Sequence, residues 1–293
     1  MLGSNVSQVG GFKTAFKVAE QWSCDCIQVY LTPSRTWKVQ ELLSERIEMF
    51  KKLKNESKIA EIVSHVPFLV NIASCDKNIL RFSRYRLIQE IKIAELLDIE
   101  KIVLHPGSFQ KSDKDIGLSR VISSLNEVMD NFQELRVKIN LETMCGQGSM
   151  LCSNFEEIHY ILDNLKYPAN FGVCFDTAHV FISGYDMRGY EGYGKIINKF
   201  DEIVGIDKIG VIHLNDSLTE LGSHNDRHAC VGEGKMGIQV FQAMLKDVRF
   251  DNIPMILEIP QRDEKTEGSL KFLRELKNEN KVIEVSKHKN TLF

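Results

Sequence analysis

Eight short runs of β-forming residues recur along the chain about one helix apart, and this alternation restricts the fold more than any other feature. The runs are 1-MLGSNV-6, 26-CIQVYL-31, 61-EIVSHV-66, 101-KIVLHP-106, 137-VKINLE-142, 171-FGVCFD-176, 209-IGVIHL-214 and 254-PMILEI-259. Between and after them lie stretches with apolar residues at i, i+3, i+4 and i+7, among them 40-QELLSERIEMFKKLKN-55, 80-LRFSRYRLIQEIKIAELLD-98 and 237-GIQVFQAMLKDV-248. Phe12, Phe16, Val18 and Ala19 give the first segment a weaker face of the same kind. The runs before His105, Asp176 and Glu258 are continuously apolar, as strands covered on both faces should be. A doubly wound open sheet would alternate in the same way. Eight evenly spread units in 293 residues favour closure. The expected fold is therefore α/β, a (β/α)8 TIM barrel with about eight helices, forming a single domain over residues 1–283. Residues 284–293 read as a C-terminal tail.

A formal net charge of −3 argues against a surface that attracts polyanions everywhere, but it leaves room for a local basic patch or for metal ions supplying positive charge. The seven cysteines are an odd set without a CxxC, so neither a disulfide framework nor a zinc ribbon is expected. Cys24 and Cys26 read as a pair of half-buried thiols. The N-terminus lacks a charged start followed by an apolar core, so no signal peptide is expected. No apolar run approaches the roughly 20 residues that span a bilayer. A reducing, cytoplasmic location away from any membrane is the expectation.

The strands end in an unusual way. The third finishes in His65, the fourth in His105, the fifth in Glu142, the sixth in Asp176, the seventh in His213 and the eighth in Glu258. In a parallel barrel all carboxyl ends surround one mouth, so these residues converge in space. His179 follows Asp176 by three residues, and Asp226 and His228 lie in the loop after the seventh strand. A lone histidine at a strand end is commonly a hydrogen-bonded core residue, and an Asp there is commonly a helix cap. Six consecutive strands ending in ionisable groups are hard to attribute to capping, because unpaired buried charges cost several kcal/mol each. Imidazole and carboxylate are the ligands that zinc and similar divalent ions take. Nine of them exceed what one or two ions need, which indicates a cluster with bridging carboxylates. His159, His224 and His288 read as incidental.

With these residues in place, the sequence resembles the endonuclease IV family of apurinic/apyrimidinic (AP) endonucleases. The likeness runs from GSNVSQVGG to LEIP and rests on 104-LHPGS-108, 141-LETMCGQGS-149, 172-GVCFDTAHVFISGYD-186, 213-HLNDS-217 and 226-DRHACVGEGKMG-237. The resemblance implies three zinc ions, with manganese admissible at one site. His65, His105 and Glu142 would hold the first. Glu142 would bridge to a second held by Asp176, His213 and Glu258, and His179, Asp226 and His228 would hold the third. It further implies hydrolysis 5′ to abasic sites in double-stranded DNA, by a monomer without an organic cofactor, leaving a 3′-hydroxyl and a 5′-deoxyribose phosphate. Cleaning of blocked 3′ ends is expected too. Glu258 and Glu142 are the catalytic candidates, Glu258 orienting or deprotonating the attacking water and Glu142 bridging.

The same likeness marks Arg35 in 32-TPSRTW-37, together with Phe68 and Leu69 in 65-HVPFLVN-71, as groups that probe the duplex, the apolar pair as a wedge. Read without the likeness, Phe68 and Leu69 are core or helix-start residues. Arg227 could contact phosphate, and the 232-GEGKMG-237 loop could offer backbone N–H groups to DNA. Asn5 stands where many relatives carry His, and Phe68 where Tyr is more usual. The alternative enzyme class is a metal-dependent sugar isomerase or epimerase on a related barrel, and the non-enzymatic alternative is a metal-dependent protein that binds damaged DNA.

Overall fold

The computed structural model describes residues 1–39, 41–259 and 263–279. The expected tail and the final residues of the expected domain lie outside them. Each apolar run supplies one strand of a barrel: β1 (Leu2–Asn5), β2 (Cys26–Val29), β3 (Glu61–His65), β4 (Lys101–Leu104), β5 (Lys138–Glu142), β6 (Phe171–Asp176) and β7 (Ile209–His213). A two-stranded antiparallel ribbon follows, β8 (Asp216–Ser217) with β9 (His228–Ala229), before β10 (Met255–Leu257) completes the barrel. The sheet closes in the order β1-β10-β7-β6-β5-β4-β3-β2. All its pairings are parallel.

The helices are α1 (Phe12–Gln21), α2 (Ser44–Glu56), α3 (Lys77–Leu96), α4 (Lys114–Met129), α5 (Phe155–Asp163), α6 (Thr177–Ile182), α7 (Gly189–Ile203), α8 (Ile238–Lys246) and α9 (Asp263–Asn278). The expected helix boundaries move by a few residues because end groups, not periodicity, set them. Asp76, for example, starts α3 early by accepting from the backbone N–H groups of Asn78 and Ile79. One helix exceeds the expected eight among the described residues. It is the short α6, inserted directly after Asp176. No described helix is long and apolar enough to cross a membrane.

Strand pleating places the functional residues. Cys26, Val63, Val103, Cys174, Val211 and Ile256 form a small apolar cluster separate from the main core. Their sequence neighbours Ile27, Ile62, Ile102, Phe175, Ile212 and Leu257 belong to the larger core shared with the helices. Alternation thus sends one set into the barrel and the other toward the helices. Two residues further along each inward row, at the next level toward the mouth, come Gln28, His65, His105, Asp176, His213 and Glu258. Asn140 precedes Glu142 by the same step on β5, and Gly3 precedes Asn5 on β1. The inner level is tightly filled. A Cβ on Gly3 would lie 1.6 Å from the Cys26 carbonyl oxygen, and one on Gly210 would lie 2.1 Å from Asn140 Oδ1.

Candidate metal centre

Glu142 occupies the middle of the mouth, fully buried. Its Oε2 is 3.2 Å from His65 Nε2 and 3.0 Å from His105 Nε2, while Oε1 is 3.2 Å from both His213 Nδ1 and His179 Nδ1. His213 Nδ1 also lies 3.1 Å from Glu258 Oε2 and 3.6 Å from Asp176 Oδ2. Beyond Asp176, His179 Nε2 and His228 Nε2 each approach a different oxygen of Asp226 at 3.2 Å. The structure therefore brings all nine sequence-derived residues into one connected group. Within it, His65–His105–Glu142, Glu142–Asp176–His213–Glu258, Asp176–His179–His228 and His65–His213–Glu258 each present ligand atoms within 4.8 Å of one another.

The hydrogen bonds around the imidazoles decide whether divalent cations fit. His65 Nδ1 donates to the Val66 carbonyl at 2.8 Å, His179 Nδ1 to the Thr143 carbonyl at 2.9 Å, and His228 Nδ1 to the Glu258 carbonyl at 3.0 Å. His213 Nε2 donates to Gln28 Oε1 at 2.8 Å. Each of these four rings thus spends its N–H on a protein oxygen, which turns the lone pair of the other nitrogen toward carboxylates. Lone pair facing carboxylate is repulsive unless a proton or a cation lies between them. The Nε2 atoms of His179 and His228 are buried without a hydrogen-bond partner. This is the donor set and the orientation that zinc-type ions require.

Without cations, protons serve instead. Burial works against charge on Glu142, but the His105 and His213 imidazoles prevail and hold its carboxyl well below the usual range. Burial likewise lowers His179 and His213. The carboxylates prevail again, with Asp176 and Asp226 beside His179 and Glu258 and Glu142 beside His213 keeping both well above 6.5. The inner-level thiols do not compete as ligands, since burial pushes Cys174 up to about 12.

Asp176 has two functions at once. Its Oδ1 caps α6 by accepting from the His179 backbone N–H at 2.8 Å, while Oδ2 faces the cluster and accepts from Asn215 Nδ2 at 2.8 Å. The helix-cap reading holds for Oδ1, and capping leaves Oδ2 facing the cluster, where it could serve as a ligand.

Several supporting residues were not legible beforehand. Gln28, fully buried, donates through Nε2 to Glu258 Oε1 at 2.6 Å and so joins Glu258 to His213. The available signal was a polar residue inside the apolar run CIQVYL, two positions beyond Cys26. Thr143 accepts the Asp176 backbone N–H, and Asn215 Oδ1 accepts that of Glu258. His224 is not incidental: its Nδ1 pairs with the Cys145 carbonyl at 2.8 Å, and nearby Asp226 N donates to Gln147. These bonds tie the loop carrying Asp226 to the loop after β5. Gly146, at φ 75°, leaves the necessary room, since a Cβ there would lie 2.8 Å from that imidazole nitrogen. His159 sits exposed on α5, and His288 lies outside the described residues.

The glycine-rich loop requires a correction. The N–H groups of Gly232 and Gly234 donate to one oxygen of Asp216, and those of Ser217 and Met236 to the other. Glu233 and Lys235 donate to the carbonyls of Cys230 and Ser217. The N–H groups of residues 232–236 are satisfied internally and are not offered to an outside phosphate.

Phe68 is 63% exposed, which removes the core reading for it, whereas Leu69 packs partly against the core. Arg35 and Arg227 are exposed, and Arg227 Nη1 donates to the Asp226 carbonyl. A cleft of about 730 Å³ opens beside the cluster, lined by Asn5, Tyr30, Asp226, Arg227, His228 and Glu258 among others.

The fold and the mouth define a class, and a family model described as xylose isomerase-like TIM barrel matches residues 16–276. Over 268 residues the chain is 34% identical to a protein of Trichlorobacter lovleyi named probable endonuclease 4, covering 90% of this chain and 94% of that one. It is 35% identical over 264 residues to a Caenorhabditis elegans protein named apurinic-apyrimidinic endonuclease, covering 89% and 66%. The crystal structure of endonuclease IV from Thermus thermophilus matches with a TM-score of 0.81 and 26% identity, covering 94% of this chain and 98% of that one. The chain belongs to the endonuclease IV family of AP endonucleases, and it is an enzyme.

Proposed function

We propose that this enzyme incises double-stranded DNA by hydrolysing the phosphodiester bond 5′ to an abasic site, as a monomer and without an organic cofactor. It leaves a 3′-hydroxyl and a 5′-deoxyribose phosphate, and the same centre removes blocking groups from 3′ ends. Three zinc ions serve the reaction, with manganese admissible at one position. The observation that carries this reading is the continuity of the cluster. Glu142 shares its two oxygens between neighbouring ligand groups, and Asp176 extends the second group toward His179, His228 and Asp226.

His65, His105 and Glu142 would hold one ion, Glu142, Asp176, His213 and Glu258 a second, and His179, Asp226 and His228 a third. When bound, such ions lower the pKa of water toward neutrality and neutralise charge on a phosphoryl group. The chain's own residues supply the positioning. Gln28 fixes Oε1 of Glu258, so that this carboxylate meets the attacking water in one orientation. Arg227 stands exposed for phosphate contact and Arg35 to probe the duplex, and exposed Phe68, with the partly packed Leu69 beside it, serves as the wedge that enters the base stack at a gap left by a missing base. A free sugar would need neither Phe68 nor the Asp226/His228 ligands on the β8–β9 side, which argues against the isomerase alternative.

The decisive experiment offers the purified protein a duplex oligonucleotide with one abasic site, with and without a chelator, alongside metal analysis. The expected result is a chelator-sensitive nick 5′ to the lesion and about three zinc per chain. One ion or fewer together with an uncut strand would overturn the proposal.

A further inference from the structure

We infer that Arg86 is a positioning residue that clamps the β2–α2 loop so that Arg35 is presented to the substrate in a fixed place. Arg86 lies in the middle of α3 and is fully buried, which is rare for arginine unless its charge is paired. Its Nε donates to Glu90 Oε1 at 2.9 Å, one helical turn further along. The fork of the guanidinium then leaves the helix for the loop. Nη1 donates to the Thr36 carbonyl at 2.6 Å, and Nη2 donates to the Pro33 carbonyl at 3.0 Å and to the Thr32 hydroxyl. That hydroxyl donates in turn to Glu90.

One cation therefore gathers two backbone carbonyls that flank Arg35, positions 33 and 36, and joins them to a buried carboxylate. Beyond the clamp, Trp37 rests against Phe82 of α3 with ring centroids 5.8 Å apart, giving the loop a second point of attachment on the same helix. Arg35 lies between the two attachments, exposed and without a hydrogen bond or ion pair among the described residues. The loop is held from beneath and its guanidinium is left free outward. A mobile loop would lose more freedom on meeting a duplex and would bind more weakly, so the clamp acts by pre-organisation. Lysine cannot replace the planar fork, because a single ammonium does not span both carbonyls and the carboxylate. The inference rests on the proposed reading of Arg35 as a DNA contact.

Two readouts separate the parts. In Arg86→Lys, hydrogen exchange of the peptide covering residues 31–39 is expected to quicken about tenfold, with the barrel strands unchanged. With an abasic duplex, KM is expected to rise about fivefold while kcat stays within about twofold, and Arg35→Ala is expected to add little in the Arg86→Lys background. Thr32→Val, which leaves the ion pair intact, is expected to move both readouts in the same direction, and it carries the test should the lysine variant not fold. Unchanged exchange in residues 31–39 overturns the clamp. Multiplicative effects of Arg35→Ala and Arg86→Lys overturn the coupling to Arg35. Failure of the unmodified enzyme to incise the duplex would instead remove the functional reading, and the exchange rates would still decide whether Arg86 holds the loop.

Discussion

Gln28 donates through Nε2 to Glu258 and accepts through Oε1 from His213, so one buried amide sets both the orientation of a carboxylate and the tautomer of an imidazole. An amide is the one uncharged side chain of this size with a donor and an acceptor side by side. Gln28→Leu is expected to free the His213 ring and to lower metal affinity about 10- to 100-fold. Competition with a chromogenic chelator measures this. Unaltered affinity would mean that the amide is only filling space.

Glu258→Gln keeps the shape of the side chain and removes its basicity. Turnover on an abasic duplex is expected to fall about 10²–10⁴-fold, with duplex binding retained within a few-fold. Gel shift and single-turnover incision together separate the two effects. Substantial residual cleavage would move the role of base to another group.

Metal content and pH are expected to act in opposite senses. In the metal-free protein the carboxylates raise His179 and His213 above 6.5. A histidine raised in the folded state contributes stability that is complete below the unfolded value and is lost as pH rises through the folded one. The Tm of metal-free protein should therefore fall from about pH 6.5 upward. Ligands bind metal only when deprotonated, so the loaded protein should hold its ions more tightly, and its Tm should rise, over the same interval. Calorimetry at several pH values with and without chelator tests the sign, and parallel slopes would contradict it.

Asp216 receives four backbone N–H groups, two on each oxygen. Asparagine cannot substitute, because its NH₂ would face two donors. Asp216→Asn is expected to destabilise the protein by about 1–3 kcal/mol in urea unfolding, nearly as much as Asp216→Ala. A neutral asparagine variant would show that the loop has other means of support.

Phe68 contributes little buried surface, so Phe68→Ala is expected to change stability by no more than about 0.5 kcal/mol. If the ring fills the gap of a missing base, affinity for abasic duplex should fall by about 1–3 kcal/mol, while affinity for intact duplex changes less. Equal losses on both duplexes would assign the ring a general contact.

The barrel and the ring of ionisable residues at its mouth were legible because both follow from a period of two. Once eight strands are recognised, the residue two steps beyond each inward-facing Val, Cys or Ile must face the same axis. Gln28 obeys that rule as well, but an amide in an apolar run carries no chemical label. Contacts between distant loops were not legible. Nothing local distinguishes His224, which ties two loops together, from His159, which is exposed on α5. The glycines of residues 232–237 signalled free backbone N–H groups, and only the fold reveals that Asp216 receives them. Arg86 stands in a stretch of α3 rich in charged residues, so its burial depends on a loop more than 50 positions away.

The inner level of Cys26, Val63, Val103, Cys174, Val211 and Ile256 is fully closed to solvent. Together with the buried Asn140 it forms a closely filled floor beneath the candidate ligands. Ions held by the candidate ligands would then exchange on the side of the mouth, through the cleft where a substrate would lie. A duplex seated there would act as a stopper, so chelators should strip the resting enzyme far faster than the enzyme caught with its substrate in place.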